Sequence, residues 1–260
     1  ITHVSLANNH SNDHGRNAVD GSKDFLSSQG IVAMEHFWKT GSIYEIQGNG
    51  NRIGIIALNF VDKSMGRADE SIAITADEIP ALIARIKEQR DSFAHLIVTV
   101  HWGENYGLWP NAMQLRLARE FAGAGVSAVV GHHPHNIQSV EDIDGVPVVY
   151  SLGSFCFENK SPFTRLGQIV VLECATNSVS LVDHQYISVG KDYRIREELS
   201  WAQRRTIILT DAQPSRARNY LFVRTVRIWI LFVSLFRTLR AGKLGRYLVW
   251  VRHRYAGTEA

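Results

Sequence analysis

Three short apolar runs that each end in a histidine-bearing polar loop constrain this chain most. His3-Val4-Ser5-Leu6-Ala7 opens onto Asn8-Asn9-His10-Ser11-Asn12-Asp13-His14-Gly15. His95 to Val100 runs into His101-Trp102-Gly103, and Val126 to Val130 runs into Gly131-His132-His133-Pro134-His135. A fourth apolar run covers Arg52 to Leu58. Between these runs lie stretches with helical spacing: Asn17 to Ser28, Ala76 to Arg90 with Ile79, Leu82, Ile83 and Ile86, and Gln114 to Ala122. Strand alternating with helix predicts α/β architecture. Open α/β sheets place their sites beyond the carboxyl ends of the strands, where these loops fall. Val146 to Leu152, Ile169 to Glu173 and Val179 to Ile187 read as a later β-rich part.

Composition removes several classes. Apolar residues make up 45% and charged residues 20% of 260, which excludes wholesale disorder, collagen and coiled coil. Two cysteines, Cys156 and Cys174, can build neither a disulfide framework nor a cysteine-rich zinc module. Any metal must therefore sit on His, Asn, Asp or Glu, and both thiols are read as free. The formal charge of +3 conceals a division. Residues 1–200 hold 16 Lys and Arg against 23 Asp and Glu, whereas residues 201–260 hold 12 against 2. An acidic body thus precedes a basic tail, and the tail calls for an anionic partner.

The strongest chemical signal is Gly131-His132-His133-Pro134-His135. A His-x-His pair on extended backbone would put both imidazoles on one side, which suits a divalent transition ion. The spacing selects His133 and His135 as ligands rather than His132; the bland alternative is a solvated loop. His101 closes a strand beside the one that leads to this cluster, and alone would read as structural. Asn9 can ligate without adding charge, and His10 beside it can protonate a leaving group. An Asx-rich turn is the competing reading of Asn8-Asn9. Asp13 and Gly15 read as turn and helix-cap chemistry, and Gly103 as room for a ligand against the backbone. His14, His36, His95 and His184 read as structural.

These residues carry a family resemblance. Ser5-Leu6-Ala7-Asn8-Asn9-His10 with Asp13 and Gly15, His101-Trp102-Gly103, Gly131-His132-His133-Pro134-His135 and Val149-Tyr150-Ser151-Leu152-Gly153-Ser154-Phe155 occur in this order. Together they resemble the motifs of CapA-type capsule (poly-γ-glutamate) synthesis proteins of the calcineurin-like metallophosphoesterase superfamily. The resemblance implies a layered α/β/β/α sandwich over residues 1–190 and a two-metal phosphoesterase site using Mn, Fe or Zn. It makes Asn9, His101, His133 and His135 metal ligands, and His10 the catalytic residue at the phosphate or leaving group. His132 and Asn8 would contact substrate, a phosphoester or an anionic envelope polymer. The family's acidic opening segments lie upstream of Asn-Asn-His, and only seven residues precede Asn8 here. The expectation is an N-terminally truncated domain that lacks a strand beside Val4 to Ala7, holds one ion rather than two, and has weak or no activity. The alternative function is a non-catalytic, membrane-associated factor of capsule assembly or export that uses the fold as a scaffold. Ser154 stands where the family has Asn.

Residues 191–213 read as a linker and 214–260 as a basic amphipathic helical tail. The longest uncharged run there, Ile228 to Phe236, has nine residues, about half a bilayer span. Apolar bulk with Trp229 and Trp250, flanked by Arg224, Arg227, Arg237 and Arg240, predicts a helix lying in an anionic membrane interface. A hairpin packed on the body or on a partner subunit is the alternative, with nucleic acid the least favoured partner. Localisation would then be bacterial, as a peripheral membrane or cell-envelope protein.

Overall fold

A six-stranded mixed sheet carries the body of the protein. The computed structural model describes residues 1–48, 50–62, 73–157, 164–190 and 192–200, with 203, 204, 207, 210 and 224 beyond them. In chain order the elements are β1 (His3–Ser5), α1 (Arg16–Ser28), β2 (Val32–Met34), α2 (Phe37–Thr40), β3 (Tyr44–Gly48) and β4 (Asn51–Asn59). Then come α3 (Ile79–Arg90), β5 (His95–His101), α4 (Ala112–Gly123), β6 (Ala128–His132), β7 (Val140–Ile143) and β8 (Val146–Val149). β9 (Leu166–Cys174), β10 (Val179–Val189) and β11 (Ile195–Arg196) complete the order. The large sheet runs β3-β4-β5-β6-β8-β7, with β4, β5, β6 and β8 parallel and an antiparallel strand at each edge. The chain is therefore α/β, as its alternating pattern predicts.

The parallel strands are buried because helices cover them. Ile56 and Leu58 of β4, Leu96, Val98 and Val100 of β5, and Val129 of β6 pack with Leu82 and Ile86 of α3 and Leu117 and Phe121 of α4. Strands covered in this way read as continuous apolar runs, which is why these three were legible. Away from this main core, Ala57 packs with Ala7 and Met34 in a small second cluster. The β7–β8 hairpin turns on Asp144-Gly145, both with positive φ, as a two-residue turn between twisted strands requires.

Helix ends explain where the sequence reading shifts. α4 begins at Ala112 because Asn111 and Gln114 form a reciprocal capping box. α3 begins at Ile79, not Ala76, because the Glu78 carboxylate accepts from both the backbone and the hydroxyl of Thr75 and holds the preceding turn. β1 is hydrogen-bonded to β2 on one side, and among the described residues no strand lies along its other edge. The three-stranded sheet β11-β10-β9 extends the body beyond residue 190. Gln203 also donates to the Arg165 carbonyl, within the stretch read as linker. Of the tail, Arg224 is described, as exposed and helical. Arg227, Trp229, Arg237, Arg240 and Trp250 lie outside the described residues.

Candidate metal centre

Register builds the site. Across the parallel strands Asn59 pairs with His101, and His101 with His132, so the carboxyl ends of β4, β5 and β6 finish in one row. Loop 8–10 follows β1 and brings Asn9 to that row, with its Oδ1 2.9 Å from His101 Nε2. On the other side His101 Nδ1 lies 2.8 Å from His132 Nδ1. His101 is 9% exposed, so both ring nitrogens meet protein partners in a largely dry place. An imidazole Nε2 facing a carbonyl oxygen must carry the hydrogen. Nδ1 then accepts, and His132 Nδ1–H donates.

The backbone after β6 departs from the extended form on which the His-x-His reading rested. β6 stops at His132, and His133 and His135 have φ of 107° and 61°. Alternation with period two therefore does not orient these rings; two left-handed residues do. Their centroids are still 6.2 Å apart, and His133 lies 4.6 Å from His101. The turn is held by its neighbours. Tyr106 N–H donates to the Pro134 carbonyl at 2.7 Å, Asn136 Nδ2 donates to the Tyr106 carbonyl at 2.8 Å, and Ser154 Oγ donates to the His135 carbonyl at 3.2 Å. Tyr106 has φ 70° itself. Backbone held in sparsely populated regions persists where surrounding contacts over-determine it, and it gathers at functional sites. Phe157 stacks on His135 at 4.7 Å.

Buried amides support the same loops. Gln114 Nε2 donates to Gln138 Oε1, Gln138 Nε2 to the Gly107 carbonyl, and Gln168 Nε2 to the Ser151 carbonyl. Gly103, at φ 84°, also suits this packing: a side chain there would strike the Gln114 amide.

Two residues gain a role that the sequence did not reveal. Asp13, read as turn chemistry, places Oδ2 2.7 Å from His10 Nδ1. Its i,i+3 spacing from His10 was the available signal. Asn59, directly after an unremarkable apolar run, is fully buried at the row of strand ends and braces Val61 through both its amide atoms. Asn8 accepts from the His10 backbone N–H at 2.9 Å, so its carbonyl shapes the loop.

Burial favours the neutral form of three of these rings. Burial, followed by repulsion from His132, His133 and His135, holds His101 far below the ordinary imidazole value. Burial lowers His132 to about 4, and burial with crowding by His135 lowers His133 to about 3. Neutral imidazole is the form that ligates a metal. Asn9 Oδ1 and His101 Nε2, 2.9 Å apart, stand at a hydrogen-bond distance that two atoms bound to one ion at about 2.1 Å would also show. Neutral imidazoles and an amide oxygen are donors that a divalent transition ion accepts. Among the described residues, however, no three His, Cys, Asp or Glu side chains are already gathered as a ligand group.

Comparison with known proteins decides the family. Residues 1–159 match the family described as "Bacterial capsule synthesis protein PGA_cap". The chain belongs to the PGA_cap family. All the site residues from Asn9 to His135 fall inside the matched region. "PGA biosynthesis protein CapA" of Bacillus subtilis (strain 168) is 33% identical over 182 residues, covering 65% of this chain and 46% of that protein. "Capsule biosynthesis protein CapA" of Bacillus anthracis is 29% identical over 194 residues, covering 70% and 46%. The chain thus spans a little under half the length of these PGA_cap relatives. Among solved structures, calcineurin-like phosphoesterase YfkN from Bacillus subtilis overlaps with a TM-score of 0.41 at 16% identity, over 87% of this chain and 72% of that one.

Proposed function

We propose that the chain carries a one-ion, phosphoesterase-type hydrolytic site that serves capsule or poly-γ-glutamate synthesis. What supports this reading is the meeting of Asn9 Oδ1 and His101 Nε2 at 2.9 Å, a hydrogen bond that an ion would replace, with the His133 ring beside it. Asn9, His101, His133 and His135 would hold the ion. A divalent Mn, Fe or Zn bound there supplies Lewis acidity and a water ionisable near neutral pH. With an ion on His101 Nε2, the ring hydrogen would move to Nδ1 and donate to His132 Nδ1, the reverse of the metal-free arrangement. His132 then fixes the His101 tautomer and ring plane, which is the work of a residue behind a ligand. We assign it that role in place of substrate contact. Asp13 accepts from His10 Nδ1–H, which orients the ring and would stabilise the imidazolium whose Nε2–H passes to the leaving oxygen, returning the ring to the neutral form.

All four assigned ligands are neutral, so the ion would keep its full charge and be held less firmly than by carboxylates. Activity of this chain is accordingly weak. The substrate class is a phosphoester or anionic polymer of the envelope, and the basic tail supplies contact with an anionic membrane surface. The absence of a ready three-residue ligand group among the described residues favours a second reading, a capsule assembly factor that uses the fold as a scaffold.

Turnover of p-nitrophenyl phosphate and bis(p-nitrophenyl) phosphate with Mn²⁺ separates the two readings. The expected result is slow, chelator-sensitive turnover that falls about 10- to 100-fold in Asp13→Asn with metal content unchanged. Turnover that survives chelation or His101→Ala would rule out this site, and none at all would favour the scaffold.

A further inference from the structure

We propose that the cavity between the His10 loop and α1 is the leaving-group subsite, and that it takes a neutral, hydroxylated group the size of one sugar or polyol. This rests on the hydrolytic reading above, in which His10 protonates the leaving oxygen. His10 itself lines the cavity, which measures about 250 Å³, with Asn8, Ser11, His14 and Ser22 completing its polar side. That volume is below the range of drug-sized pockets and suits a single small moiety. A group leaving from His10 has this space beside it.

The lining defines the chemistry. Among the described residues no Lys, Arg, Asp or Glu lines it, and the Asp13 carboxylate behind His10 disfavours an anionic group there, so a neutral group suits it. Ser11 Oγ donates to the Leu6 carbonyl and Ser22 Oγ donates to the Ala18 carbonyl, which leaves both hydroxyl oxygens as acceptors. Asn8 Oδ1 is engaged by the His10 backbone, which leaves its NH₂ as a donor, joined by the imidazole of His14. Acceptors and donors set side by side match hydroxyl groups, which do both. Leu6 and Val19 add an apolar wall of the kind that meets the C–H face of a sugar ring.

α1 has no buried side chain, so its residues can be changed without disturbing a core. Ser22→Trp fills the cavity and His14→Ala removes a donor; neither residue is a proposed ligand or the proposed acid. The probes are inorganic phosphate, which needs only the centre, and glycerol 3-phosphate and glucose 1-phosphate, which also need the subsite. Binding to the Mn²⁺-loaded chain is read by calorimetry, with circular dichroism confirming the fold. In Ser22→Trp, affinity for both organic phosphates is expected to fall at least tenfold while that for inorganic phosphate stays within twofold. In His14→Ala the organic phosphates weaken about threefold. Equal affinities of wild type and Ser22→Trp for the organic phosphates would overturn the subsite and leave the metal centre standing. Failure of the wild type to bind inorganic phosphate would overturn the centre, and the subsite with it.

Discussion

His101 has a partner at each end of its ring, Asn9 on Nε2 and His132 on Nδ1, and little water to solvate a charge. The same burial makes protonation a folding matter. His132 and His133 are lowered to about 4 and about 3 from the ordinary 6.5. Between those values the unfolded chain binds protons that the folded chain refuses, so stability rises with pH there. The metal-free protein should hold this contribution in full above pH 6.5 and lose it progressively as pH falls toward 3. Urea denaturation across pH 7 to 4 measures it. His133→Asn should flatten the slope by about one proton over that window, and an unchanged slope would show that His133 titrates normally. Asp13 teaches a related lesson about single residues. Its pairing with His10 hides in a string of Asn, Ser and Asp that serves equally well as a turn, and only the closed loop separates the two uses.

At the scale of elements, strands set in a longer apolar run and helices with a clear period were readable, β1 and β8 included, whereas several short elements were not. β4, β5 and β6 announce themselves as buried apolar runs, and α3 and α4 by the spacing of Leu82, Ile86, Leu117 and Phe121. β2, α2, β3 and β7 are three to five residues long and too short to show a period. The histidine turn failed for a different reason. Nothing in Gly-His-His-Pro-His marks two left-handed histidines, because tertiary clamps from Tyr106 and Asn136 impose them. Asn136 is fully buried, and its Oδ1 has no partner among the described residues. Asn136→Leu removes that unsatisfied acceptor and also the hydrogen bond to the Tyr106 carbonyl. The two effects, each about 1–3 kcal/mol, oppose each other. The expected outcome is a melting temperature near that of wild type with Mn²⁺ affinity about tenfold weaker. Unaltered affinity would mean that the clamp does not set the ligand geometry.

For the whole molecule, the sequence divides an acidic body from a basic tail, and the family match ends at residue 159, inside the body. No described helix is long and apolar enough to cross a membrane. The proposed role of the tail is interfacial, so the chain should float with anionic liposomes, lose most of that binding on removal of residues 214–260, and release as salt rises. Partitioning that persists without the tail would place the contact elsewhere. The α/β class and the row of strand ends were legible because they follow from hydrophobic pattern; convergence of side chains drawn from residues 9 to 135 required the fold. That convergence is the central claim, and metal stoichiometry tests it most directly. Elemental analysis after equilibration with Mn²⁺ should find about one ion per chain, abolished by His101→Ala and weakened by Asn9→Ala. A chain that stays metal-free, or one whose metal content ignores both substitutions, would contradict the account.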